Sequence, residues 1–258
     1  RRMESKVNAI TGASSGIGEA TALRLGGSGM SLVLAARRKS ALETVARAAG
    51  TRALVVQADV TERVQVRRIR DETLGRLGEV DDWTNNGGQG ISGMPSELTD
   101  DDIDEVMRVN VKSAIYGMQE VLPHFKSRSR GHVINISSLL GRVPFATIRS
   151  AYCGAKHFLN AITATFRAEV QETHPDIQFT IVSPGVVQTD LGLKGKCGGP
   201  DSRQFPGAQT AEELGAVVAG VMESRLPDVY TRKGSRDQIA GYYARVGADP
   251  EEGQAAPV

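Results

Sequence analysis

Cysteine, net charge and long apolar runs are all in short supply in this chain, and each shortage excludes something. Only Cys153 and Cys197 occur among 258 residues. Two are too few for a disulfide framework, so a reducing, cytoplasmic compartment is expected. The formal net charge is +1, which provides no whole-molecule field for nucleic acid or an anionic membrane, and neither is expected as a partner. No apolar stretch approaches the roughly 20 residues of a membrane span. Arg1 and Arg2 precede Met3 with no hydrophobic segment before the first glycine turn, and no signal peptide is expected. His124, His132, His157 and His174 lack ligand spacing; no metal is expected, and they read as structural or solvent-facing.

What is present is an ordinary globular composition, 40% hydrophobic and 24% charged, over a length that suits one large α/β domain spanning 1–258. Apolar runs at 7–10, 31–36, 53–57, 81–85, 132–136, 178–182 and 229–230 read as strands. Helical stretches at 19–25, 40–49, 62–77, 103–125 and 152–172 alternate with the first six. Thr61 is the expected cap of the third helix, and Trp83 stands where the fourth strand would ordinarily carry an aliphatic residue. The alternation predicts a doubly wound parallel sheet of about seven strands with helices on both faces and ligand at the carboxyl ends of the strands. Residues 192–207 hold five glycines and two prolines and read as a substrate lid; 248–258 reads as a flexible tail. Arg63, Arg67, Arg68 and Arg70 read as a solvated helix face.

Gly12, Gly16 and Gly18, with Ser14, Ser15 and Ile17 among them, follow a strand and open a helix. Such a turn can cradle a pyrophosphate on helix N-terminal amides, or it can be a plain turn that needs glycine dihedrals. At the end of the second strand, where an acidic residue meets a free ribose 2′-hydroxyl, this chain has Arg37 and Arg38. Guanidinium groups pair with a 2′-phosphate, so NADP(H) is expected rather than NAD(H). Asp59, at the end of the third strand, either accepts from the adenine amine or only begins a turn before Thr61.

Tyr152 and Lys156 lie four apart and share one helix face. A phenol with an ordinary pKa of about 10 becomes a useful general acid or base when a neighbouring ammonium draws it down. Ser138 follows the fifth strand, where a hydroxyl can hold a carbonyl oxygen beside Tyr152. Asn110 interrupts an apolar helix; it either anchors a water that serves Lys156 or satisfies local backbone. Cys153 points about 100° away from Tyr152 on the helix and reads as packing.

Taken in order, these residues resemble the short-chain dehydrogenases/reductases over residues 6–190. Thr11-Gly12 with Gly16 and Gly18 is similar to that family's cofactor turn, Asn85-Asn86-Gly87-Gly88 to its Asn-Asn-Ala-Gly segment, and Pro184-Gly185 with Thr189 to the segment that passes the nicotinamide. Asn110, Ser138, Tyr152 and Lys156 match its catalytic tetrad. The resemblance implies a single-domain Rossmann fold and hydride transfer between NADP(H) and a ketone, aldehyde or secondary alcohol. Tyr152 would exchange the proton, Lys156 would bind the nicotinamide ribose, and Ser138, rather than Ser137, would hold the substrate oxygen. It also implies that Asn110 supports a relay water and that Asp59 and Val60 border the adenine. Asn86 and Gly88 would line the cofactor, and Val187 and Thr189 would hold its nicotinamide end. Homo-dimers or homo-tetramers packed through the two long helices are implied as well.

Two further readings stay open at this stage. One is a non-catalytic NADP-binding protein that senses redox state or scaffolds a partner. The other is a sugar-nucleotide epimerase or dehydratase, which ordinarily carries a larger C-terminal domain than the roughly seventy residues after Pro184.

Overall fold

A computed structural model of the chain describes residues 3–50 and 52–247; the expected tail at 248–258 lies outside the described residues. Seven strands, β1 (Val7–Thr11), β2 (Ser31–Ala36), β3 (Ala53–Gln57), β4 (Asp82–Asn85), β5 (Gly131–Ile136), β6 (Ile177–Ser183) and β7 (Asp228–Tyr230), form one sheet. Its order is β3-β2-β1-β4-β5-β6-β7 and every pairing is parallel. The chain walks outward from β1 to β3, returns to place β4 beside β1, and walks outward again. The reversal opens a crevice at the carboxyl ends of β1 and β4, where open α/β sheets bind ligands.

Helices α1 (Gly16–Gly26), α2 (Lys39–Ala49), α3 (Arg63–Leu77), α4 (Asp100–Met107), α5 (Ser113–Arg128), α6 (Ser150–Gln171), α7 (Ala211–Ser224) and α8 (Ser235–Val246) complete the architecture. Successive strand residues serve opposite faces. Ala9, Val33 and Val133 join α3, α5 and α6 through Ile69, Phe125 and Phe166. Ile10, Leu34 and Ile134 join α1, α2 and α7 through Leu25, Leu42 and Val218. Two covered faces explain why the strands read as continuous apolar runs rather than alternating ones.

Four expectations change. Thr61 does not cap α3: its N–H and hydroxyl both donate to Asp59 Oδ1, at 2.9 and 2.7 Å. A local Asp-centred turn wins the competition for its hydrogen bonds, and α3 begins after Glu62 with no side-chain cap. The stretch at 103–125 is not one helix. It opens earlier, at a capping box between Thr99 and Asp102, and a π turn at Arg108–Lys112 separates α4 from α5. Helices α7 and α8 were not anticipated, although Thr210 and Glu213 form a capping box that the sequence carries in plain view. The arginine face of α3 is solvent-exposed at Arg67 and Arg68 but is more than a solvated face, for Arg63, Arg67 and Arg70 all pair with the buried carboxylate of Glu120 on α5.

Trp83 is fully buried in β4. Its Nε1 donates to Asn85 Oδ1 at 2.8 Å. The indole fits because α5 presents Gly117 to it: a Cβ there would lie 2.5 Å from Nε1 and would collide with Asn85 Oδ1. An aliphatic strand residue would need a larger partner on the helix. Trp83→Ala is expected to lower stability by about 3–5 kcal/mol through the cavity it leaves. Trp83→Phe is expected to cost about 1–3 kcal/mol, mainly by orphaning the buried Asn85 oxygen. Urea denaturation of the two variants separates the terms, and a Phe variant as stable as the parent would remove the hydrogen bond from the account.

Candidate active site

β1 ends at Thr11, and the chain then turns sharply. Gly12 has φ of 65°, and a Cβ on it would lie 2.9 Å from Asn86 O. A Cβ on Gly18 would collide with the Gly12 carbonyl oxygen and would lie 2.5 Å from Asn86 Nδ2. Asn86 closes the turn from the β4 side: its N–H donates to Thr11 Oγ1 at 3.1 Å and its Nδ2 to Gly12 O at 3.1 Å. Helix α1 starts at Gly16 without a side-chain cap on its first amides. Uncapped amides beside glycines form a cradle that suits a phosphate anion. Thr189 stands against Gly16, its Cγ2 3.3 Å from where a Cβ would be.

The two arginines after β2 diverge. Arg38 turns back onto the glycine turn, where its Nη2 donates to Ser14 O, Ser14 Oγ and Ser15 Oγ at 3.3, 3.2 and 3.0 Å. Arg37 faces outward instead and, with Lys39, Gln57, Asp59, Gln65 and Arg68, lines an open cavity of about 510 Å³. Burial raises the pKa of Asp59, but hydrogen bonds from Thr61 and the charges of Arg37 and Arg108 outweigh it and hold the carboxyl below its ordinary value. Val60 packs against Gly87, where a Cβ would lie 3.1 Å from Val60 Cγ2. This contact accounts for glycine at a position where alanine would be tight.

Tyr152 and Lys156 are both buried on the first turns of α6. Lys156 Nζ lies 5.5 Å from the centre of the Tyr152 ring and donates to Ile136 O at 2.9 Å. Asn110 sits in the π turn. Its Nδ2 donates to Gln89 O at 2.9 Å and Val106 O at 3.1 Å, while its Oδ1 accepts from Gln89 N at 3.3 Å. The side chain thus satisfies local backbone, one of the two roles open to Asn110. Gly88 threads between Asn110 and Lys156: its Cβ would lie 3.2 Å from Asn110 Oδ1 and 3.8 Å from Lys156 Nζ.

Ser138 Oγ accepts from Leu140 N–H at 3.1 Å and is near enough to Tyr152 to favour its phenolate. Ser137 is buried, its hydroxyl unpartnered among the described residues. Beyond β6, Leu139 N–H is held by Pro184 O at 2.7 Å, and Gly185 packs on Arg232. Val187 pairs with Gln209, and Thr189 is tied through its backbone to Ser202 Oγ.

Burial dominates the electrostatics. It pushes the Tyr152 phenol up to about 12, against opposing pulls from Ser138 and the Arg149 charge. It pushes Lys156 down to about 8. The expectation that Lys156 draws the phenol down is therefore not met in the protein by itself; the lowering influences are Ser138 and Arg149. The segment at 192–207 lies against 90–93. Lys196 N–H donates to Gly90 O at 2.9 Å and Ser92 Oγ to Gly198 O at 2.7 Å, while Lys196 Nζ pairs with Asp102 at 2.8 Å and Glu105 at 3.2 Å.

The sequence reading passed over Arg149, Ser92 and Lys196. For Arg149 there was one signal, a cation at a helix start, where the dipole disfavours it. Cys153 is buried, with its thiol pushed up by burial. The histidines serve the fold: His132 is buried and bonded to Thr180 Oγ1 at 2.8 Å, and His124 accepts from Val80 N–H at 3.2 Å. Among the described residues no group of three or more His, Cys, Asp or Glu is placed to hold a metal ion, and no helix is long and apolar enough to cross a membrane.

The sequence profile of the short chain dehydrogenase family matches residues 6–195. An uncharacterized oxidoreductase of Staphylococcus saprophyticus is 36% identical over 190 residues, covering 73% of this chain and 77% of its own. Among solved structures, a short chain dehydrogenase/reductase of Burkholderia phymatum in complex with NAD superposes with a TM-score of 0.86 at 24% identity, over 97% of this chain and 98% of that one. An alcohol dehydrogenase of Thermococcus sibiricus complexed with 5-hydroxy-NADP superposes with a TM-score of 0.76 at 26% identity, over 87% and 95%.

Because burial alone holds Lys156 at about 8, below its ordinary 10.5, the unfolded chain binds the extra proton between those values and the charged lysine destabilises the fold below them. Lys156→Met is thus expected to be the more stable protein at pH 7. Its advantage should narrow by on the order of 3 kcal/mol as pH rises through 8 to 10.5. Urea titrations of both proteins from pH 7 to 11 measure this difference.

Proposed function

The chain belongs to the short-chain dehydrogenases, oxidoreductases that bind a nicotinamide nucleotide, and from that premise we propose that it is an NADP(H)-dependent reductase of ketones or aldehydes, running in reverse as an alcohol dehydrogenase. The observation that carries the reading is the convergence of Tyr152, Ser138 and Lys156 at the carboxyl edge of the sheet, next to an uncapped helix start built on glycine. Bound there, the nicotinamide supplies or accepts a hydride at the substrate carbon.

The residues present suit such a cofactor. Gly12, Ser14, Ser15, Gly16, Ile17 and Gly18 would hold the pyrophosphate at the start of α1. Arg37 and Arg38 would meet the 2′-phosphate; Arg38 already donates to Ser14 and Ser15, the hydroxyls that border that corner. Asp59 and Val60 would border the adenine. Asn86 and Gly88 would line the ribose side, with Pro184, Gly185, Val187 and Thr189 at the nicotinamide end.

Tyr152 donates the proton to the carbonyl oxygen in reduction and accepts it from the alcohol in oxidation. A phenol standing near 12 is fully protonated at neutral pH, the form a general acid requires. Ser138 holds the substrate oxygen. Lys156, its ammonium held beside the Tyr152 ring, would bond the nicotinamide ribose and would stabilise negative charge on the Tyr152 oxygen as the proton leaves. Asn110 is a positioning residue: by fixing Gln89 it fixes Gly88, which packs against Lys156. Residues 192–207 act as the substrate lid. Ile103 and Phe158, large apolar residues exposed on α4 and α6, support homo-dimers or homo-tetramers through these helices.

Tyr152→Phe is expected to cut kcat by at least 10³-fold while leaving the affinity for NADPH within about threefold, a loss in the range for removing a general acid. Near-normal turnover by this variant would remove Tyr152 from the chemistry. NADPH binding by a wild-type protein that turns over no carbonyl would favour a non-catalytic cofactor sensor. Arg37→Asp is expected to weaken NADPH roughly ten- to a hundredfold, the scale of one charge-assisted pair, with a much smaller change for NADH. Fluorescence titration with both nucleotides checks this, and equal losses would remove the 2′-phosphate assignment.

A further inference from the structure

Arg149 is the N-cap residue of α6, three residues before Tyr152, and the chemistry proposed above makes no use of it. Its backbone pairs with Gly93, and its Nη1 donates to Ile91 O at 3.1 Å. The guanidinium occupies space that three glycines leave open. A Cβ on Gly90 would lie 2.9 Å from Nη1, one on Gly192 would lie 3.5 Å from Nη2, and one on Gly199 would collide with Nη2. The charged head is therefore enclosed between the segment after β4 and the lid.

That charge is unbalanced. Among the described residues no carboxylate acts on Arg149; the titratable groups that reach it are Tyr152 and Cys153. The lid's own cations are all paired: Lys194 with Asp190, Lys196 with Asp102 and Glu105, and Arg203 with Asp190 and Asp201. A half-buried guanidinium without a counterion is costly to hold, and the N-terminal end of a helix makes it costlier. The charge also reaches the reacting end of the pocket, since it favours the phenolate of Tyr152.

We infer that Arg149 is a specificity residue that pairs with a carboxylate carried by the substrate, which makes the substrate an oxo acid in reduction and a hydroxy acid in oxidation. The inference rests on the reductase reading and names its substrate class. The planar fork of a guanidinium matches a carboxylate bidentately, and Ile91 occupies only one of its five N–H groups. A single guanidinium balances a monoanion. A phosphate ester would call for a second cation, and those of the lid are already committed to aspartates and glutamates.

The test uses matched ketones, each an oxo acid and its methyl ester over a range of chain lengths, with NADPH and the full chain. The wild type is expected to favour the acid over its ester by at least thirtyfold in kcat/KM. In Arg149→Met that ratio is expected to fall to near one, mostly through KM for the acid. Arg149→Lys, which keeps the charge but not the fork, is expected to retain part of the preference and guards against a Met variant that fails to fold. Calorimetry on the NADPH-loaded protein with acetate, butanoate, benzoate and inorganic phosphate supplies a readout independent of turnover, with carboxylate binding lost in Arg149→Met. Wild-type turnover of esters and acids alike, equal losses on both in Arg149→Met, or phosphate binding tighter than any carboxylate would each overturn the carboxylate assignment while leaving the reductase reading standing. Arg149-dependent carboxylate binding without turnover of any ketone would leave this pairing standing and defeat the reductase reading. Neither binding nor turnover would defeat both.

Discussion

Lys156 keeps its ammonium in the interior on a hydrogen bond to one backbone carbonyl, Ile136 O at 2.9 Å, and much of the local architecture exists to make that placement tolerable. Helix α6 has to lie along the end of β5, close enough for Nζ to reach the last residue of the strand. The chain leaving β4 passes between Lys156 and Asn110, where a side chain on Gly88 would crowd Asn110 Oδ1. Asn110 can grip Gln89 on both sides of its peptide because the helix carrying it widens into a π turn at that point. Such bulges inside helices often mark functional positions. Burial then sets the chemistry: it raises the pKa of the phenol and lowers that of the ammonium, so both groups favour their neutral forms and charge on either costs more than in water.

A chain of buried polar groups links this pair to the rest of the sheet. Trp83 Nε1 donates to Asn85, Asn85 Nδ2 to Asn135 Oδ1 at 2.8 Å, and Asn135 Nδ2 to Thr163 Oγ1 at 2.8 Å. The series crosses from β4 through β5 to α6 and fixes the helix that bears Tyr152 in one register against the strands. Satisfied networks of this kind specify a unique packing because any slip leaves a buried donor or acceptor unpaired. On the other side of the crevice, Asn86 does the equivalent work for the glycine turn, tying the end of β4 to Thr11 and Gly12. The glycine turn and the Tyr152 helix are thus tied down by adjacent residues, Asn85 and Asn86, whose side chains face opposite ways.

Residues 192–207 and Arg149 extend the same logic outward. Backbone pairing between Ile91 and Lys196, with the Lys196 ion pairs to α4, holds residues 192–207 against 90–93. Beside it, Arg149 has no carboxylate partner among the described residues, and its charge acts on Tyr152.

The sequence by itself was enough for the doubly wound sheet, the glycine turn and the Tyr152–Lys156 pair. Continuous apolar strands, a glycine-rich strand-to-helix junction and an i, i+4 spacing are local patterns, and local patterns survive in one dimension. It was also enough to single out Asn110 as out of place. What it did not reveal are the outcomes of competition between distant groups. Thr61 was lost as a cap because Asp59 bound it first. Trp83 was puzzling until α5 brought Gly117 against it, and nothing in the sequence paired the arginines of α3 with Glu120 of α5. Arg149 was overlooked because an ion pair, or the want of one, is decided only when loops far apart in the chain close around it. Tertiary structure alone set the electrostatics of the site, since the desolvation that raises Tyr152 and lowers Lys156 depends on what is packed over them and not on their neighbours in sequence.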